Sequence, residues 1–162
     1  MSKVSASIIV AMLCVLARTT VAEPVAVGDP MTTYHLEDQF GKEHDLAADT
    51  RAVVICSEMS LSKTLHAWLK EKGGDYLPDR HTEYVSDITG MPTPITVLFA
   101  RPKMKKYPFR ILLAQDHDFG PLYPKEEGKI AVFLLAEDHT VTDVRFISKP
   151  EELDGILPAA SE

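Results

Sequence analysis

Ala52-Val53-Val54-Ile55-Cys56, then Ser57-Glu58-Met59-Ser60, then Leu61, Leu65, Trp68 and Leu69, is the stretch on which the fold turns. Five consecutive small or apolar residues after a polar segment predict a strand buried on both faces. The later apolar positions recur at i, i+4, i+7 and i+8, the stripe of an amphipathic helix. Ser60 or Ser62 is expected to cap that helix, because a serine hydroxyl satisfies an orphan N–H, and Gly73-Gly74 to end it. The turn between strand and helix holds no cysteine.

Upstream, Glu23 to Pro30 is polar with two prolines and predicts an extended lead-in. Tyr34 and Leu36 alternate as on a half-buried strand, and Gln39-Phe40-Gly41-Lys42 predicts the turn of a small hairpin at the edge of the domain. Downstream, Thr82 to Ser86 predicts a second strand. After Gly90-Met91-Pro92-Thr93-Pro94, the i, i+3, i+4 spacing of Ile95, Leu98 and Phe99 predicts a short helix, with Pro94 in its first turn and Pro102 ending or kinking it. Ile111 to Ala114 is a further apolar strand, Gln115 to Lys129 a polar loop, and Ile130 to Ala136 a second fully apolar run, expected to be a central strand. Glu137-Asp138-His139 turns the chain into a strand over residues 140–147 with one solvated face. Ser148 and Glu151 stand at capping-box spacing before a closing helix that is expected to end near Pro158. The order is hairpin, β-α-β-α-β, then β-β-α, which packs naturally as an α/β domain with a mixed sheet.

Near the start of the 162 residues, Lys3 precedes an apolar core from Ile8 to Ala17, and Thr20-Val21-Ala22 offers small residues before Glu23. That pattern predicts a signal peptide over 1–22, with an apolar core far shorter than the ~20 residues of a membrane span, and one domain over 23–162. Cys14 follows Leu13 rather than the small residue a lipid-anchor signal needs. The product is therefore expected to be periplasmic or secreted, with no transmembrane segment after cleavage near Ala22. The net charge is −7, and removal of a leader carrying Lys3 and Arg18 takes it to −9. That balance argues against nucleic-acid binding, which needs a basic footprint. Cys56 would then be the only thiol, so no internal disulfide is expected.

The element order, with certain residues, resembles the thioredoxin-like superfamily, nearest the branch of peroxiredoxins and exported thiol reductases. Tyr34, Leu36, Asp38, Gly41 and Leu46 match its opening F-x-L-x-D-x-x-G-x-x-x-x-L, with tyrosine as the leading aromatic. Ile130 to Val141 lies where the family has P-T-T-F-L-I-D-x-x-G-x-V, and shares Phe133, Leu134 and Val141. The resemblance implies a thioredoxin-like mixed β-sheet flanked by helices, with an N-terminal β-hairpin extension. It also implies a C-x-x-C or a single peroxidatic cysteine at Ser60-Leu61-Ser62-Lys63, and a cis-proline at Ile130. Both marks are missing. A non-proline residue pays roughly 2.5–4 kcal/mol for a cis bond, so Ile130 is expected to be trans.

The remaining candidates each carry a competing structural reading. Cys56 is either a displaced redox cysteine or a buried core residue at a strand end. Ser60 and Lys63 form the S-x-x-K of serine β-lactamases, but the S-D-N and K-T-G partners of that chemistry are absent. The histidines, His35, His44, His66, His81, His117 and His139, make no H-x-x-x-H. His117 between Asp116 and Asp118 suggests either a metal-binding loop or a solvated turn. Arg101, Lys103, Lys105, Lys106 and Arg110 form the one basic cluster, a candidate contact surface or a solvated edge. No G-x-G-x-x-G follows a strand, and no cofactor or metal is expected. These features favour a non-catalytic binding or structural protein of the bacterial periplasm with an unidentified protein partner. The alternatives are a one-cysteine oxidoreductase or peroxidase using Cys56, and a metal- or ligand-binding domain using the His117 loop.

Overall fold

The computed structural model describes residues 23–160, so the expected signal peptide and Cys14 lie outside the described residues. Its centre is the strand predicted at Ala52. β3 (Ala52–Cys56) is buried at every position because both of its edges are paired and both of its faces are covered. It runs parallel to β4 (Thr82–Asp87), with Val54 opposite Tyr84, and antiparallel to β6 (Ile130–Leu135), with Val54 opposite Val132. β5 (Leu112–Ala114) continues the sheet parallel to β4. The predicted hairpin, β1 (His35–Asp38) and β2 (Glu43–Asp45), adds antiparallel to β5 at one edge. β7 (Val141–Ile147) closes the other edge against β6. The seven-stranded order is β2-β1-β5-β4-β3-β6-β7.

Local chemistry explains the turns. In the hairpin, the Asp38 carboxylate accepts from the amides of Phe40 and Lys42, and Gly41 supplies the φ of 85° that other residues resist. Between β6 and β7, His139 takes a left-handed φ of 63° at the position where the related motif has glycine. Among the described residues no peptide bond is cis, Ile130 included.

Side-chain alternation along β3 divides the interior in two. Ala52, Val54 and Cys56 point to one face, with Tyr84, Ile130 and Val132. Val53 and Ile55 point to the other, with Val85, Ala131 and Phe133. The first face carries α1 (Met59–Lys72), which buries Leu65, Trp68 and Leu69 on it. This helix ends at Gly73 as expected, with φ 97° and an amide that donates to the Leu69 carbonyl. Its start differs from expectation. The N-cap is Glu58, whose side chain makes no cap bond, and both serines lie inside the helix. The Ser62 hydroxyl donates to Cys56 Sγ instead, and the Glu58 carboxylate accepts from the Gly128 amide at 2.6 Å.

The predicted helix after Pro92 is present but broken into α2 (Thr93–Ile95), a π turn over Thr96–Ala100 and α3 (Arg101–Met104). Pro102 explains the break. It has no N–H to give and its ring crowds the carbonyl four residues back. The backbone widens so that the Arg101 amide reaches Thr96 O, five residues back. The widening also moves the apolar stripe. Ile95, Leu98 and Phe99, whose spacing predicted the helix, are exposed at 45%, 65% and 69%, while Ala100 and Met104 meet the core. The closing segment is a 3₁₀ helix over Pro150–Gly155 rather than an α-helix, and its cap is one residue out of the expected place. Glu152, not Glu151, accepts from the amides of Ser148 and Lys149 at 3.1 and 3.0 Å.

Among the described residues no α-helix covers the second face. The lead-in lies along it, held by Gly28 N to Val141 O and Met31 N to His139 O. Val25, Met31, Phe119 and Tyr123 close it over Val53, Val85 and Phe133.

Candidate functional site

The junction of β3 and α1 is where the family resemblance places a reactive thiol. The position itself is Ser60 to Lys63; Cys56 lies before it, at the end of β3, and is wholly buried. Its Sγ accepts from Ser62 Oγ at 3.3 Å and donates to Glu58 O at 3.6 Å. Burial pushes the thiol above its ordinary pKa. A neutral, covered thiol is a poor nucleophile. Ser60 and Lys63, at the two ends of the expected C-x-x-C, are exposed on the first turns of α1, and the structure gives Ser60 no base.

Beside this junction lies a cleft of about 510 Å³ between α1 and the α2–α3 segment. Its walls are apolar, built from Met59, Met91, Ile95, Phe99, Met104 and Tyr107. Ser57, Ser62, Lys63, His66, Asp87 and Lys103 supply the polar groups. The charge of Asp87 is satisfied within the protein. It accepts from Lys125 Nζ, from the Thr89 amide and hydroxyl, and from Ser57 Oγ at 3.2 Å. Burial pushes its carboxyl up, and the bonds from Lys125 and Thr89 outweigh that to hold it below the usual range. His66 is 5% exposed, with Nε2 3.0 Å from Tyr84 Oη and its ring 4.8 Å from that of Tyr107. Burial and then the Lys103 charge push its imidazole down to about 4, so it is neutral near pH 7.

Positions 59, 62–63 and 66 form a second stripe on α1, beside the core stripe of 61, 65, 68 and 69. That spacing was the available signal for the cleft. The polar identities of Ser62, Lys63 and His66 disguised it as a solvated face.

The basic cluster divides. Arg101 pairs with Glu37 on the hairpin, and Arg110 lies 4.0 Å from the buried Glu83. Lys103 lines the cleft, while Lys105 and Lys106 stand exposed after α3. His117 is exposed, beside a turn in which Asp116 accepts the Asp118 amide. Among the described residues no three His, Cys, Asp or Glu side chains converge as metal ligands. His35, His44 and His81 pair with acids on the hairpin and near it. Among the described residues no helix is long and apolar enough to cross a membrane.

No family model matches the chain, and no curated protein matches it in sequence. Solved structures do match its architecture. A peroxiredoxin-like protein from Aquifex aeolicus superposes with a TM-score of 0.55 at 14% identity, over 83% of this chain and 86% of that one. StoA from Bacillus subtilis gives 0.54 at 13%, over 79% and 97%. A thio-disulfide isomerase from Thermus thermophilus gives 0.52 at 19%, over 82% and 95%. The chain has the thioredoxin-like fold. Similarity at this level of identity extends to the fold alone, so the activity has to be argued from the site.

Proposed function

We propose that this thioredoxin-fold chain is an exported protein without thiol chemistry, which works by binding at the cleft beside the β3–α1 junction. The observation that carries the reading is the burial of Cys56, with its thiol pKa raised and no second thiol among the described residues. The apolar walls of the cleft, open to solvent through Met59, Ile95 and Phe99, support binding as the role. Lys105 and Lys106 extend the same side of the molecule as a contact edge for a protein partner in the periplasm.

The test is thiol reactivity joined to turnover. In the mature protein, Cys56 is expected to react with a thiol reagent at least about 100-fold more slowly when native than in denaturant, as burial dictates. The protein is expected to consume no peroxide with an external reductant. Equal native and denatured rates, together with peroxide consumption, would sink the reading in favour of a one-cysteine oxidoreductase. Crosslinking in the periplasm is expected to capture a partner that is lost when Lys105 and Lys106 are changed to glutamate. Recovery of a chain that begins near Glu23 would establish export.

A further inference from the structure

We infer that the cleft takes an amphiphilic monoanion, an apolar chain or ring ending in one carboxylate, with its body against Met91, Phe99 and Tyr107 and its head between Lys63 and Lys103. The inference rests on the cleft being a binding site, and it names the chemical class of the ligand. A volume of about 510 Å³ lies within the ~300–1,000 Å³ of small-molecule sites, which are mostly apolar with a few placed polar groups.

Charge selects the head. Lys63 on α1 and Lys103 on α3 both line the cleft, and neither has an ion-pair partner among the described residues. Two unpaired cations on a chain of net charge −7 are a local reversal of sign. Asp87, the one acid on the lining, is already matched by Lys125, Thr89 and Ser57. His66 commits Nε2 to Tyr84, and its other ring nitrogen makes no hydrogen bond among the described residues, leaving one polar site beside Lys103. Lysine is a flexible point charge rather than a planar fork, which suits a single compact anionic head.

The same lysines exclude other occupants. A cationic amphiphile would meet two like charges. A second copy docked two-fold through this face would bring the same two cations to the interface from each side. A nucleotide would find no glycine-rich loop for its phosphates.

The experiment is calorimetric titration of the mature chain with dodecanoate, dodecanol and dodecyltrimethylammonium, the two ions kept below their micelle concentrations and the alcohol below its solubility limit. Dodecanoate is expected to bind one to one, about 10-fold or more tighter than the alcohol, as a charge-assisted contact implies. The ammonium is expected to bind weakest. Lys63→Gln with Lys103→Gln should weaken dodecanoate about 10-fold and leave dodecanol unchanged. Phe99→Ser should weaken both, and Lys70→Gln, in the last turn of α1 and outside the lining, should change neither. Equal binding of dodecanoate and dodecanol, no binding of either, or indifference to the Lys63 and Lys103 changes would each overturn the inference. Any of these with Cys56 still unreactive leaves the absence of thiol chemistry standing. Peroxide turnover by the same preparation strikes that reading instead.

Discussion

The two faces of the sheet bury polar groups by opposite strategies. On the face without α-helices, the carboxylate of Glu83 is enclosed and answered by its own chain. Tyr34 Oη donates to it, as do the Thr50 hydroxyl and the Ala47 amide, each at 3.3 Å, with Arg110 at 4.0 Å. On the helical face, Cys56, Ser62, Tyr84 and His66 form a looser set that ends at the wall of a cleft. A closed network specifies packing, because every partner is fixed and a missing one is costly. An open one leaves donors and charges free for something outside the chain. The hairpin side is thus closed on itself, and the helical side is the one open enough for the binding proposed above.

The strongest way to break the comparison is to remove the centre of the closed network. Glu83→Ala strands Tyr34 and Thr50 in the interior and is expected to cost about 3 kcal/mol, read as a fall in the urea midpoint at unchanged slope. A loss near zero would mean that the hairpin face is as permissive as the cleft.

Acid titration probes the open side with nearly as large an effect. His66 has its imidazole pKa lowered in the folded chain, from 6.5 to about 4. As pH falls, the unfolded chain takes up the proton first, so this group's contribution is complete above pH 6.5 and is lost on descending towards pH 4. The loss is roughly 2–3 kcal/mol by pH 4.5. His66→Gln should flatten stability across that window. Asp38 and Asp87, whose carboxyls are held below 3.8, add their own losses at lower pH.

A matched pair of hydroxyl deletions sharpens the contrast. Tyr34→Phe takes a donor from a buried carboxylate and should cost about 2 kcal/mol, whereas Tyr84→Phe removes the hydroxyl partner of a neutral imidazole at the cleft and should cost about 1 kcal/mol. Chemical denaturation of both variants at pH 7 checks the order. Equal costs would remove the distinction between the faces.

The closed side was legible in the sequence to the extent that it is periodic. The alternation of Tyr34 and Leu36, the Gly41 turn and the unbroken apolar runs at Ala52 and Ile130 follow from pairing and burial, and the hairpin and central strands formed where those patterns put them. The buried Glu83 left no such trace, because a glutamate beside Thr82 in a strand looks like any solvated edge residue. The cleft was hidden for a different reason. Its lining comes from separate segments, each of which had an adequate local explanation. Ile95, Leu98 and Phe99 had helical spacing, yet spacing does not tell which way a stripe faces once a proline has forced a π turn. Ser60 and Ser62 resembled caps, but the choice of Glu58 depended on Gly128, seventy residues away in the chain.

The open order of the sheet bears on self-association. A sheet that does not close presents two rows of unpaired backbone groups to any neighbouring chain. β2 meets this by brevity and charge, with only Glu43, His44 and Asp45 on offer. β7 is seven residues long; the lead-in covers its start, through Gly28 N to Val141 O and Val141 N to Asp29 O, and the rest relies on Asp143, Arg145 and the register shift opposite Leu134 and Leu135, which bends the ladder away from a straight template. The longer rim is therefore the one on which a neutralising change, at Asp143 or Arg145, removes a barrier to stacking against a neighbouring strand.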